Sequence, residues 1–411
     1  KTTAYIQMVK KYKGIKFLIA LPTNILKNQV WEELYREIPG DVFVTPSIHG
    51  NALISEEIRN KISWFHKVGL HNKTKKVMKD YYEKVKDDPD MKAVAQECQK
   101  ILKGFRAIKD ERVIVTTHAY FLQLPESFLK DYTIIIDEDI LQLQIFNSSC
   151  SVNLESIEAL VEENIPYYSN IARRIMNAED NTYYKMDGCS FEAPAIEDWI
   201  EKTENLSGGN LTDLIHAKVF VKIKELEETK VYYFCPPELP NLKYIILSAT
   251  LNVRIYEKYF RGSMLIRSYD EKKAEYQGKL IQYTYHSLGR GDLKKKMEVF
   301  DFACELSGKS IVGTPYKAEQ SYKLIACYLG ADVNNQDDMR PRVRRVQYAG
   351  ASFLITTYKD ELLREVQLYA IQSELEQCVG RARLLRKDCT VYLFSAFPCE
   401  QAEIRIGNYI N

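Results

Sequence analysis

The residues with the most chemistry in this sequence are Asp137-Glu138-Asp139, three carboxylates that close the apolar run Tyr132-Thr133-Ile134-Ile135-Ile136. An acid at such a strand end can hold Mg²⁺ on a nucleotide, and its neighbour can orient an attacking water. An acidic cap on an ordinary core strand is the plainer reading. Phosphate binders elsewhere in the chain decide between the two. Lys1-Thr2-Thr3, followed by a helical pattern, has the form in which a phosphate-binding loop G-x-x-x-x-G-K-[ST] ends. On that reading Lys1 meets the β- and γ-phosphates, Thr2 ligates Mg²⁺, and glycines are expected ahead of Lys1. A helix that merely starts with these residues fits them as well. Far downstream, Gln377 and Gly380 precede Arg381, Arg383 and Arg386 on one short stretch. Arginines crowded together are unfavourable unless they face anions, and a basic surface helix leaves the Gln and Gly unexplained.

The elements that must position these groups follow from pattern. An apolar run such as Thr133–Ile136 reads as a strand buried on both faces of a parallel sheet, whose carboxyl end is where ligands bind. Lys16–Leu21, closed by Pro22 and Thr23, and Arg112–Thr117, followed by His118, are strands of the same kind. Thr23 at a strand end suits either a nucleic-acid phosphate or the N-cap of the helix Leu26–Leu34. His118 suits either a satisfied core or cap position or a strand end facing nucleic acid. Leu242–Leu247 ends in Ser248-Ala249-Thr250, whose hydroxyls could bond the acidic strand, and Met264–Arg267 reads as a last strand.

Two stretches interrupt this alternation. Residues 50–110 are charge-rich and helical, with Lys73, Lys75, Lys76 and Lys79 near Trp64, Phe65, Tyr81 and Tyr82. Bases could stack on such aromatics while phosphates meet the ammonium groups, or the stretch could be a solvated amphipathic insert. Residues 141–240 are too long for an α/β connection, and helices are expected at 152–163, 167–176 and 214–228. A charged linker at 269–279 then leads to a second strand–helix alternation. Its strands, at 280–285, 309–313, 345–349, 352–356 and 390–395, are expected to form a second parallel sheet. Arg340, Arg342, Arg344 and Arg345 read either as a phosphate-following cluster or as a solvated loop.

Composition bounds the rest. A chain of 411 residues, 45% hydrophobic and 27% charged, is an ordinary globular protein of two or three domains. Its net charge of +1 requires any nucleic-acid binding to come from local patches. No apolar run is long enough for a membrane helix. Nine cysteines without paired metal spacing suggest reduced thiols and a cytoplasmic or nucleoid location.

In this order the pieces resemble the superfamily 2 helicases and translocases. Lys1-Thr2-Thr3 looks like the tail of motif I, Leu21-Pro22-Thr23 like motif Ia, and Asp137-Glu138-Asp139-Ile140 like the DEAD or DEAH motif II. Ser248-Ala249-Thr250 matches motif III, and Gln377-Cys378-Val379-Gly380-Arg381 the QxxGR core of motif VI. The resemblance implies an α/β chain of two RecA-like parallel-sheet motor domains, 1–275 with helical insertions at about 50–110 and 141–240, and 280–411. ATP would lie between them. It implies that Lys1, Thr2, Thr3 and Gly380 contact the nucleotide, Thr2 and Asp137 hold Mg²⁺, and Glu138 activates water. Asp139 would link to the later motifs, and Gln377 would sense the nucleotide. Arg381 would reach the γ-phosphate with Arg383 or Arg386, because Leu384 stands where the family's second arginine usually lies. Pro22, Thr23, Thr117, His118, Thr314 and Thr356 would face nucleic acid. The Gly and Asp of motif V are absent after Thr356-Thr357. The second insert and Thr117-His118-Ala119-Tyr120 resemble the XPD/DinG-like branch with its helical arch. With Cys98 the only cysteine of the first insert, no iron–sulfur cluster is expected. The expected partners are single-stranded or forked DNA, with RNA as the alternative, together with replication or repair proteins and no membrane. Strand separation, translocation without unwinding, and binding without turnover all remain open at this point.

Overall fold

The computed structural model describes residues 2–48, 50–67, 70, 73–104, 111–162, 164, 168–186, 211–226, 228–269, 275–285, 288–289, 294–335 and 337–405, the side chain of residue 67 excepted. The chain divides into two compact units, Lys1–Ser248 and Ala249–Asn411. Both are built on parallel sheets with helices, so the chain is α/β.

The first unit holds a five-stranded sheet. Its strands are β1 (Phe17–Leu21), β2 (Val42–Val44), β3 (Val113–Thr117), β4 (Thr133–Asp137) and β9 (Tyr244–Leu247), in the order β2-β3-β1-β4-β9. All four pairings are parallel. Continuous runs such as Phe17-Leu18-Ile19-Ala20-Leu21 make this possible, because every side chain of β1 is buried. Ile19, Leu21, Val113, Val115 and Ile135 share an apolar cluster with Tyr5, Ile6 and Val9 of helix α1 (Thr2–Lys11) and Val30 and Leu34 of α2 (Asn24–Glu37). Each large side chain so buried contributes about 1.5–3 kcal/mol, and close packing fixes where the strand ends lie.

The two insertions depart from expectation in different ways. Residues 50–110 are helical where described: α3 (Glu56–Lys67), α4 (Lys73–Val85) and α5 (Lys92–Gly104). Between β3 and β4 run the short helices α6 (His118–Phe121) and α7 (Glu126–Leu129), and α8 (Ile140–Leu143) follows β4. The described residues of 141–240 do not form a helical arch. They contain α9 (Leu154–Glu162) and α10 (Tyr168–Met176) beside a four-stranded antiparallel sheet, β5-β8-β7-β6. The segment expected as a helix at 214–228 holds strand β7 (Val219–Lys224), paired with β8 (Thr229–Phe234). The alternation Val219-Phe220-Val221-Lys222-Ile223-Lys224 is a strand period, and cross-strand pairs such as Val221–Tyr232 satisfy it. Strands β5 (Ser149–Asn153) and β6 (Tyr183–Lys185) flank them. The two insertions share one apolar cluster, from Ile54, Phe65 and Met78 in the first to Leu160, Phe220 and Tyr233 in the second.

The first unit ends at Ser248, earlier than the expected 275, and Met264–Arg267 is not a strand. Instead, the helix Val253–Phe260 is tied into the second unit, where Arg254 pairs with Glu361 and Glu365. The second unit's sheet runs β11-β14-β10-β15, all parallel, from β10 (Lys279–Tyr283), β11 (Lys309–Val312), β14 (Thr390–Phe394) and β15 (Glu403–Arg405). The two remaining strands do not join it. β12 (Arg342–Tyr348) and β13 (Ala351–Thr357) pair antiparallel as a separate hairpin, so the single parallel sheet expected here is corrected to a sheet plus a ribbon. Ala349 and Gly350 both take positive φ, 48° and 80°, the two-residue turn whose twist matches paired strands.

Candidate functional site

Parallel pairing brings the carboxyl ends of β3, β1, β4 and β9 to one edge. Leu21 lies beside Thr117, Ala20 beside Ile136, and Asp137 beside Leu247. Thr116–Thr117, Pro22–Thr23, Asp137–Glu138 and Ser248 therefore emerge side by side, at the edge where sheets of this kind bind ligands.

Asp137 is the best-defined member, its side chain buried at 3% exposure. The Tyr5 hydroxyl donates to Asp137 Oδ2 at 3.4 Å, and the Thr2 hydroxyl bonds the same phenol oxygen. Thr2 and Tyr5 are i and i+3 on α1, so one helical turn puts both on the face that meets the acidic strand. Burial above all pushes the Tyr5 phenol well above its ordinary value; the Thr2 bond opposes this and the Asp137 carboxylate adds to it, so Tyr5 stays a donor. Tyr5 was missed in the sequence, where nothing but its offset from Thr2 marks it.

Glu138 follows at φ 72°, in the left-handed region that disfavours side chains. Its amide is held by the Leu247 carbonyl at 3.0 Å, so β9 fixes this turn. Such a conformation costs on the order of 1–3 kcal/mol and persists only where neighbours impose it, typically at functional positions. The turn leaves Glu138 half-buried at the sheet edge, while Asp137 is buried and Asp139 is buried at the start of α8.

His118 has a different role from the one expected. Its ring is fully buried and bonds the Asp137 carbonyl through Nε2 at 2.9 Å, so it does not face nucleic acid. A carbonyl only accepts, which assigns the proton to Nε2 and leaves Nδ1 a buried acceptor without a partner. Burial pulls its pKa down to about 4, with the Asp137 and Ala20 carbonyls opposing weakly. Because β1 lies between β3 and β4, the ring reaches across the sheet end to hold the residue before the strained turn.

A hydroxyl and a carboxylate joined through Tyr5 form a set of hard oxygen donors, which fits Mg²⁺. Among the described residues there is no group of three or more His, Cys, Asp or Glu that could hold a metal alone. Mg²⁺ carried by a nucleotide needs only one or two protein oxygens besides phosphate and water, so Thr2 and Asp137 are the residues that would hold it.

The remaining expected residues are spread over both units. Lys1 lies outside the described residues, and Thr3 is exposed on α1. Thr23 and Thr117 cap α2 and α6, accepting from the amides of Leu26 and Tyr120; Pro22 is half-buried beside Thr23. In the second unit, Thr314 is buried against Ser395 rather than facing outward, and Thr356 is half-buried on β13. The 20-residue helix Glu361–Gly380 carries Gln377 near its end and is capped by Arg381. Beyond it, Ala382 and Leu384 are buried while Arg381, Arg383 and Arg386 are exposed. Leu384 is therefore a core residue. Arg383 takes φ 59°, and its carbonyl accepts from the amides of both Arg386 and Lys387.

Two features of the first insert and sheet complete the description. Phe65 and Tyr81 are buried in the insert's core and offer no stacking platform, while Trp64 and Tyr82 are half-buried against it; Lys75, Lys76 and Lys79 form the solvated face of α4. Lys27, unnoticed in the sequence, is buried at 1% exposure near the carboxyl ends of β1 and β2. Its ammonium donates to the Thr45 carbonyl at 2.6 Å and to Ser47, which in turn bonds Asn24. Burial alone lowers its pKa to about 8, and among the described residues it pairs with no carboxylate. No model of a known protein family matches the chain, and no curated protein matches it either.

Proposed function

We propose that this chain is an ATP-dependent nucleic-acid helicase, hydrolysing ATP to move along DNA and separate its strands. The observation that carries this reading is the join of Thr2 to Asp137 through Tyr5, beside a strained Glu138 at the carboxyl edge of a parallel sheet. In this reading Tyr5 donates to Asp137, and Thr2 and Asp137 would together hold Mg²⁺. The metal supplies charge neutralisation on the β- and γ-phosphates. Glu138 accepts the proton of the attacking water, and its turn sets the carboxylate one residue beyond the metal-binding acid. His118 excludes water from beneath the acidic strand end. The motif resemblance, and not any observed contact, assigns positive charge on the transferring phosphoryl group to Arg381 with Arg383 or Arg386, an effect worth about 10³–10⁵ in rate where it operates. Pro22, Thr23 and Thr117 lie on the same sheet edge as the acids, which couples strand contact to hydrolysis.

The buried charge of Lys27, with no carboxylate beside it among the described residues, adds support, since an ammonium in that position favours an anion at the carboxyl edge. The reading is tested on the full-length protein by ATP hydrolysis with and without single-stranded DNA or RNA. Strand-stimulated turnover that Glu138→Gln abolishes is expected. Turnover unaffected by Glu138→Gln would remove the assignment of the base, and no turnover at all would leave a binding module. A forked duplex with either tail then separates unwinding from movement without strand displacement.

A further inference from the structure

We propose that the β12–β13 ribbon of the second unit is a nucleic-acid-gripping element that binds the phosphate backbone of a single strand. This rests on the helicase reading above and deepens it by naming a contact surface.

The ribbon has two unlike faces, because register assigns each residue to one or the other. Val346, Tyr348, Phe353 and Ile355 pack into the unit's apolar cluster and anchor the inner face. On the outer face Val343 pairs with Thr356, Arg345 with Leu354, and Gln347 with Ser352. Val343 and Leu354 are 69% and 52% exposed, and Arg345 stands exposed between them. Arg340, exposed in the turn before the strand, adds a second charge, while Arg342 is exposed at the strand's start but falls by register on the face of Val346 and Tyr348.

Among the described residues, no acid forms an ion pair with the ribbon's arginines. The ion pairs among the described residues of the second unit join Arg254, Lys323, Lys359 and Arg405 to acids, and none includes Arg340, Arg342, Arg344 or Arg345. Strand β13 carries no acid in Ala351–Thr357 to answer them. Exposed strands usually carry charge to prevent pairing with other chains, but lysine alone would serve that purpose. Arginines fork to phosphate oxygens, and adjacent exposed Val343 and Leu354 offer apolar contact to bases or sugars. A chain of net charge +1 has no general attraction for polyanions, so such attraction has to come from local patches, of which this ribbon is one. Thr356, expected to contact nucleic acid, lies on this outer face beside Val343.

The test is fluorescence anisotropy of a labelled single-stranded oligonucleotide with the full-length protein across a salt series. The double variant Arg340→Ala/Arg345→Ala is expected to bind at least tenfold more weakly near 0.1 M salt. Its log–log salt slope should be shallower by about 1.4, since each of the two phosphates no longer neutralised accounts for about 0.7 on a single strand. Arg340→Lys/Arg345→Lys, which keeps both charges, is expected to retain most of the slope, and a melting curve checks that both variants fold. Unchanged affinity and slope in the alanine variant would overturn the ribbon assignment, as would a wild type that binds no oligonucleotide, or a ribbon whose loss weakens only an acidic protein competitor. ATP hydrolysis by the wild type is measured separately, so absent turnover with ribbon-dependent strand binding would count against the hydrolase reading alone.

Discussion

The His118 imidazole donates through Nε2 to the backbone carbonyl of Asp137 at 2.9 Å, from the start of α6, directly after a strand two places away in the sheet. One buried ring thus fixes the peptide that leads from Asp137 into the strained turn at Glu138. His118→Ala is expected to lower the turnover of ATP by about tenfold or more with little change in KM, the scale of losing a group that orients a metal ligand. His118→Gln, which keeps a donor near Nε2, should recover part of it. Equal losses in both variants would mark the ring as packing only.

The same histidine makes stability depend on pH. Its folded pKa of about 4 lies below the ordinary value of 6.5, so the unfolded chain takes up the proton first as pH falls. Stability is therefore full above about 6.5 and declines towards 4, by on the order of 3 kcal/mol from this group. Denaturant unfolding at several pH values should show a shallower acid decline in His118→Gln than in the wild type.

Glu138 holds φ 72° with a side chain that the left-handed region disfavours. Glu138→Gly is expected to raise stability by about 1 kcal/mol while abolishing ATP turnover, since only the backbone strain is relieved. A glycine variant less stable than the wild type would place the cost elsewhere.

Tyr5→Phe removes the hydroxyl that joins Thr2 to Asp137. Weaker Mg²⁺-nucleotide binding is expected, with a stability loss of about 1 kcal/mol for the lost bonds. Isothermal titration with and without Mg²⁺ distinguishes this from a general packing defect, which would affect both equally.

Lys27 gives the same sign of pH dependence as His118, in a more alkaline window. Its folded pKa of about 8 lies below the ordinary lysine value of 10.5, so the buried charge costs most below pH 8. Stability should rise between pH 8 and 10.5, where the folded chain has shed this proton and the unfolded chain still holds it. In Lys27→Met that rise should be smaller, which difference melting curves can read.

The strands of the first sheet were legible because burial on both faces writes an unbroken apolar run, as in Phe17–Leu21 and Thr133–Asp137. The acids were legible as chemistry at a strand end. The ribbon's two strands were expected at 345–349 and 352–356, but their pairing as a hairpin was not, because the turn uses Ala349 at φ 48° where asparagine or glycine would have signalled it. Strand β7 was hidden by lysines that lengthen its pattern into an apparent helix. Tyr5 and His118 were illegible as positioning groups, since their partners lie 132 and 19 residues away and only the fold's register brings them together.

The common apolar cluster of the two insertions has a consequence for how this chain is made. Ile54, Phe65 and Met78 cannot complete their surroundings until Phe220 and Tyr233 have been synthesised, long after the intervening β3 and β4. Pairings so distant in sequence slow folding and leave apolar surface waiting for a partner. Deleting either insertion alone would therefore strip the other of much of its interior. Shortening this protein means removing both or neither.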